Sequence, residues 1–175
     1  MTADPGPLRV IGVIRSPHHR REDTPVQSAL NPDEEGWIEL GEHYEPALLG
    51  LEGFTHAWLV TWLGDPDQAA GEPELRQVPF LLGRHGRELG IFATRGPRRP
   101  NPIGLSLVRL GTVEGHRVRF RGVDVIDGTP LLDLKPFVAA FDTPAGDVRS
   151  GWFDDAPLPV RATPASLAAA DDRPH

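Results

Sequence analysis

The chain of 175 residues contains no cysteine, which excludes a disulfide framework, a Cys-ligated zinc site and a cysteine nucleophile. It holds a single lysine, Lys135, against 17 arginines, so a Walker loop, which needs a lysine after a glycine-rich turn, is absent; Lys135 stands in Asp133-Leu134-Lys135-Pro136. No apolar run approaches the roughly 18 residues of a membrane helix. The opening MTADPGPLRV lacks the pattern of a signal peptide, so the expectation is a soluble, cytoplasmic protein. Neither G-x-S-x-G nor G-x-G-x-x-G occurs, which removes the hydrolase elbow and the Rossmann cofactor turn. His18 and His19 are adjacent among arginines, a poor setting for a cation, and no metal site is expected.

Glycine and proline are abundant instead, 19 of each, and they punctuate the chain too often for long helices. Strands are predicted over Leu8–Ile14, Gly36–Leu40, Ala57–Leu63, Gly90–Ala93, Leu105–Val113, Arg117–Ile126 and Leu131–Ala139. The alternation in Arg117–Ile126 is the clearest period-two signal, and Glu114-Gly115 before it suits a hairpin turn. Helices are predicted only over Glu45–Leu51 and Pro164–Ala170. The pattern reads as mainly β: a small antiparallel β-barrel or sandwich, one domain over residues 1–160 with a short tail over 161–175. Trp37, Trp58 and Trp62 are expected in its core.

The net charge is −7, yet residues 84–121 hold nine arginines against two acids, a local balance of +7. Such a centre suits a local anionic ligand, an RNA backbone or a carboxylate. Arg117, Arg119 and Arg121 alternate with Val118 and Phe120 and read as a solvated strand face. Within the same region, Arg95 to Ile103 (RGPRRPNPI) joins two strand-like segments through Pro100 and Pro102, which fix φ and remove two backbone donors. A rigid cationic loop between core elements is placed to present itself to a ligand. Gln27, the His56–Trp58 strand entrance, Arg95 and Asp127-Gly128-Thr129-Pro130 all fall at predicted strand ends, and are expected to gather on one rim.

The segments FATRGPRRPNPIGLSLVRL and GVDVIDGTPLLDLKPF, with IGVIRSP and GLEGFTHAWLVTW before them, resemble the TsaA-like (TrmO) family of β-barrel methyltransferases. The likeness runs from about Val10 to Phe137. It implies an S-adenosylmethionine site built without a Rossmann fold, around a homodimer interface. By matching position, the cofactor contacts would be Pro25, Val26, Gln27, Leu63, Gly64, Arg95, Leu105, Asp127, Gly128, Thr129 and Pro130, with the Asn101 loop shaping the pocket. The implied reaction is N6-methylation of threonylcarbamoyladenosine beside the tRNA anticodon. Arg98 and Arg99 would suit the substrate's carboxylate and phosphates, because guanidinium binds such groups in bidentate fashion. No residue is identified as the proton acceptor.

The chain departs from the family at several points. Val26 replaces an arginine, Leu63-Gly64 stands where many members carry Phe-His, and QVPFLLGRHGRELG differs from the usual Arg-Pro-rich stretch. Longer bacterial members carry an additional C-terminal domain, and no such domain is expected here. Two other readings therefore stay open: methylation of a small molecule, and a non-catalytic cofactor- or nucleotide-binding module.

Overall fold

The computed structural model describes residues 6–64, 74–83, 86–156 and 162–171. Among them eight strands form: β1 (Gly12–Arg15), β2 (Glu35–Leu40), β3 (His56–Trp62), β4 (Arg76–Gln77), β5 (Leu89–Gly90), β6 (Ile103–Glu114), β7 (Arg117–Arg121) and β8 (Thr129–Pro136). Six of them close an antiparallel barrel in the order β1-β2-β7-β6-β3-β8, while β4 and β5 make a separate two-stranded ribbon. Closure leaves the barrel strands no free edge.

Alternation decides which side chains fill the interior. Ile14, Ile38, Leu59, Val108, Val118, Phe120 and Leu131 point inward and are buried. Phe120 fits because Gly36 faces it: a Cβ at Gly36 would stand 2.8 Å from the Phe120 ring. Gly12 is needed for a similar reason, since a Cβ there would meet the backbone of β2, 2.8 Å from the Leu40 Cα. The β6–β7 hairpin turns at Gly115-His116, with Gly115 at φ +59°, a conformation that glycine adopts without steric cost.

Several sequence expectations are corrected. Leu8–Ile11 precede β1 rather than forming part of it, and Gly90–Ala93 is mostly a 3-10 turn (Ile91–Ala93) after β5. The strand predicted over Arg117–Ile126 stops at Arg121. Gly122 follows at φ +91° and donates its N–H to Glu34 O (3.0 Å), while Val123 and Val125 turn in to plug the barrel. Thr129 and Pro130 open β8 instead of completing a turn, and β8 ends at Pro136. The helix predicted over Glu45–Leu51 is a 3-10 helix over Glu42–Leu48. A one-turn helix, α1 (Ala139–Asp142), follows β8, and α2 (Pro164–Asp171) closes the described chain.

Trp37, Trp58 and Trp62 are not in the core. Trp37 on β2, and Trp58 and Trp62 on β3, alternate with buried neighbours and lie half-buried on the outer face. Arg119 covers the Trp37 ring at 4.9 Å, and Phe137 lies 6.2 Å from Trp58. A six-stranded barrel has room inside for Phe120 but directs the bulkier indoles outward.

Candidate active site

Register sorts the strand ends into two rims. One collects the ends of β1, β3 and β7 with the starts of β2, β6 and β8; the other collects their opposite ends. Gln27, Leu63-Gly64, Arg95, the proline loop, Leu105 and Asp127 to Pro130 all adjoin the first rim. His56 does not. It opens β3 opposite Arg109, so the His56–Trp58 entrance belongs to the other end of the barrel. Sequence gives the two ends of a strand the same appearance, and only the pairing separates them.

The first rim is tied together by main-chain and side-chain hydrogen bonds. Leu63 donates its N–H to Pro102 O at 2.7 Å, which joins the end of β3 to the proline loop. Gly64 accommodates the Trp62 indole, whose Cε2 would lie 2.9 Å from a Cβ at that position. Val26 donates to Ala162 O at 2.9 Å, and Ala162 is buried, so the segment leading into α2 packs against the Pro25–Gln27 loop. Gly128 donates to Ile14 O (2.8 Å), and Asp127 accepts from Ser16 N–H (3.1 Å) while Arg15 lies 3.7 Å from its other oxygen.

Arg95 is the hub of the polar groups. Its Nε donates to Gln27 Oε1 at 2.8 Å and its Nη2 to Leu105 O at 3.4 Å, yet the side chain is exposed. Beside it stands Asp124, which the sequence reading did not single out. One carboxylate oxygen accepts from Ser106 Oγ (2.7 Å) and the other from Ser28 N–H (2.8 Å). Burial pushes this carboxyl up to about 6, against the downward pull of those two hydrogen bonds and of Arg95. The only hint in the sequence was an acid inside the apolar run Val123-Asp124-Val125, which needs partners once its neighbours are buried but does not name them.

The arginines of the basic region divide by role. Arg117 pairs with Glu39 (2.6 Å) and Arg121 with Glu35 (3.0 Å), and each acid is shared with a second arginine, Arg15 or Arg119, so the β7 face is the solvated surface its alternation suggested. Arg99 donates from Nη1 to Ile91 O and Thr94 O, both at 2.9 Å, and lies 5.6 Å from the Phe92 ring, so it shapes the loop from within. Arg98 is exposed and makes no hydrogen bond or ion pair among the described residues. Asn101 is exposed, and its carbonyl accepts from Ile103 N–H at 2.7 Å. Trp152, also missed from sequence, donates from its indole to Ala93 O (2.7 Å) and braces the turn before Arg95.

A concavity of about 360 Å³ lined by His18, Asp23, Pro25, Asn31, Asp33, Glu34 and Thr163 adjoins this rim. A larger one, about 630 Å³, opens at the other rim among Glu42, Glu45, Glu52, Leu48 and Leu49. Size favours the second. It gathers three carboxylates without a cation, however, whereas the first rim combines donors, acceptors and both charges, which makes that rim the candidate site.

The tRNA-methyltransferase O N-terminal domain family matches residues 13–143, about three-quarters of the chain. The chain belongs to the TrmO family. Related TrmO structures share the fold: one from Pseudomonas aeruginosa has a TM-score of 0.64 at 37% identity, covering 86% of this chain and 62% of that one. Among curated relatives, a probable S-adenosyl-L-methionine-binding protein of Pyrococcus abyssi is 40% identical, over 83% of this chain and 75% of its own length. The Escherichia coli tRNA (adenine(37)-N6)-methyltransferase is 36% identical, over 84% of this chain and 63% of its own length. The chain therefore spans somewhat under two-thirds of that TrmO relative.

Proposed function

We propose that the protein is an S-adenosylmethionine-dependent methyltransferase acting on N6 of threonylcarbamoyladenosine beside the anticodon of tRNA. The observation that carries this reading is the Gln27–Arg95–Leu105 bridge on a rim that also holds Asp124 and Asp127. The donor set fits the cofactor. Arg95 suits its carboxylate, Asp127 suits a positive charge on it, and Leu63 and Leu105 offer apolar surface to the purine. When bound, S-adenosylmethionine supplies an already activated methyl group, so the protein's main task is to hold donor and acceptor in line. Pro25, Val26, Leu63, Gly64, Asp127, Gly128, Thr129 and Pro130 form the remaining wall, and the Asn101 loop shapes its edge.

On this reading Arg98, whose guanidinium has no partner among the described residues, takes the substrate's carboxylate or a flanking phosphate, while Arg99 keeps the loop in shape. Incubation with methyl-labelled cofactor and threonylcarbamoylated tRNA is expected to label N6. Arg98→Ala should raise KM for tRNA about tenfold, the value of one lost charge-assisted hydrogen bond, and leave cofactor affinity unchanged. Absence of label in tRNA would favour a small-molecule acceptor, a reading supported by the ion pairs that engage Arg117 and Arg121 on β7.

The protein is further proposed to be a cytoplasmic homodimer. Trp62, Val60 and Trp58 on β3 stand opposite Ile103, Leu105 and Leu107 on β6, an apolar outer stripe in which Ile103 is 42% and Leu105 47% exposed. Such a stripe beside a ligand rim suits a second copy. Sedimentation should give a dimer for the wild type and a monomer for Val60→Glu; a monomeric wild type would refute the assignment. Among the described residues no helix is long and apolar enough to cross a membrane.

A further inference from the structure

Arg95 and Asp124 join the same two segments from opposite charges. Arg95 bridges residue 27 to residue 105, through Gln27 Oε1 and Leu105 O. Asp124 bridges the next pair, 28 to 106, through Ser28 N–H and Ser106 Oγ. Ser28 and Ser106 are both buried, and Ser106 points into the barrel from β6 while Leu105 points out. The two links are thus consecutive rungs between the loop carrying Gln27 and the start of β6. The upper rung is the exposed one, which would meet a ligand, and the lower is the enclosed one, which sets its spacing.

We propose that Asp124 is the positioning residue of the rim site: its ionised carboxylate pins Ser28 to Ser106 and so holds Gln27, Arg95 and Leu105 in register for the cofactor. This rests on the cofactor reading above. A carboxylate is suited to the task because it accepts on both oxygens at once and needs no donor of its own. Protonating one oxygen weakens acceptance there and turns it into a competing donor. The same event removes negative charge beside Arg95, the charged group whose field reaches Asp124. The neighbouring titratable groups are engaged elsewhere: Glu34 with His18 (2.8 Å) and Asn31 (2.5 Å), and Asp127 with Ser16 and Arg15.

The sign of the pH dependence follows. Burial raises the Asp124 carboxyl to about 6, so the lower rung is complete above that pH and fails below it. A single proton taken up near pH 6 predicts about a tenfold loss of cofactor affinity between pH 7 and pH 5.

The test is calorimetric titration of the intact protein with S-adenosylmethionine from pH 5 to pH 8. Wild type should lose affinity on acidification as stated. Asp124→Asn should bind about tenfold more weakly at pH 7.5 and show a flat profile, with Asp124→Glu restoring part of the slope. Ser106→Ala severs the same rung while leaving the carboxylate, so affinity at pH 7.5 should fall as in Asp124→Asn. With a hydrogen bond that lowers the Asp124 pKa removed, the midpoint of any remaining slope should move up; this variant also serves if Asp124→Asn fails to fold. Wild-type affinity at pH 7.5 in Asp124→Asn, or in Ser106→Ala, would overturn the proposal while leaving the cofactor reading intact. A wild type that binds no S-adenosylmethionine at any pH would instead refute that reading and this proposal with it.

Discussion

Arg95→Ala is expected to weaken S-adenosylmethionine binding by about 10- to 100-fold while leaving the fold in place. The guanidinium is exposed, so its loss opens no cavity, and surface truncations of this kind change stability by about 0.5 kcal/mol or less. What is lost is the cation and the bridge it makes between Gln27 and Leu105. A hydrogen bond to a charged group is worth about 1.5–3 kcal/mol, and each 1.4 kcal/mol is tenfold in affinity. Arg95→Lys should rescue little, because a compact ammonium on a flexible stem cannot reproduce the planar fork that reaches both partners. Calorimetry on the two variants checks this, and an unchanged Kd in Arg95→Ala would remove the residue from the cofactor site.

Phe120→Ala should be the most destabilising of the substitutions considered, by about 3–5 kcal/mol. Phe120 is the largest of the fully buried side chains. Its β2 neighbour is Gly36, which has no side chain to move into the space, and a closed barrel cannot collapse locally without breaking register. Against a total of about 5–15 kcal/mol for a domain, the loss is a large fraction. Urea unfolding should show a lower midpoint with the slope unchanged. A shift under 1 kcal/mol would mean that the barrel interior is more plastic than its packing indicates.

Much of this architecture was legible in the chain, and the gaps have physical reasons. The alternation at Arg117–Arg121 gives both the strand and its two faces, with Val118 and Phe120 inside and arginines outside. It does not give the strand's end, because Val123 and Val125 continue the same rhythm after Gly122 has turned the backbone out of the ladder. Hydrophobicity alone put Trp37, Trp58 and Trp62 in the core, whereas the barrel's narrow interior sends the largest rings to its outer face.

The site divides in the same way. The proline loop stood out because Pro100, Pro102 and three arginines make a rigid cationic turn, while the cofactor role of Arg95 came from the family resemblance alone. Asp124 was not legible, since a lone acid between two valines announces neither its depth nor its partners, Ser28 and Ser106, which come from 96 and 18 residues away. His56 resembled a rim residue on the wrong rim, an error of register that composition cannot correct. Trp152 sits beside Phe153 just before two aspartates, with nothing local to name its partner, and its bond to Ala93 O spans 59 positions.

The central claim, that the rim joining Gln27, Arg95, Leu105 and Asp127 holds the cofactor, is tested most directly by backbone amide chemical shifts during titration with S-adenosylmethionine. The account predicts the largest changes at Gln27, Ser28, Leu63, Gly64, Arg95, Leu105, Asp127 and Gly128, with the opposite rim around Glu42–Leu48 and Gly115 unmoved. Changes centred on that opposite rim, or none at saturating cofactor, would contradict it.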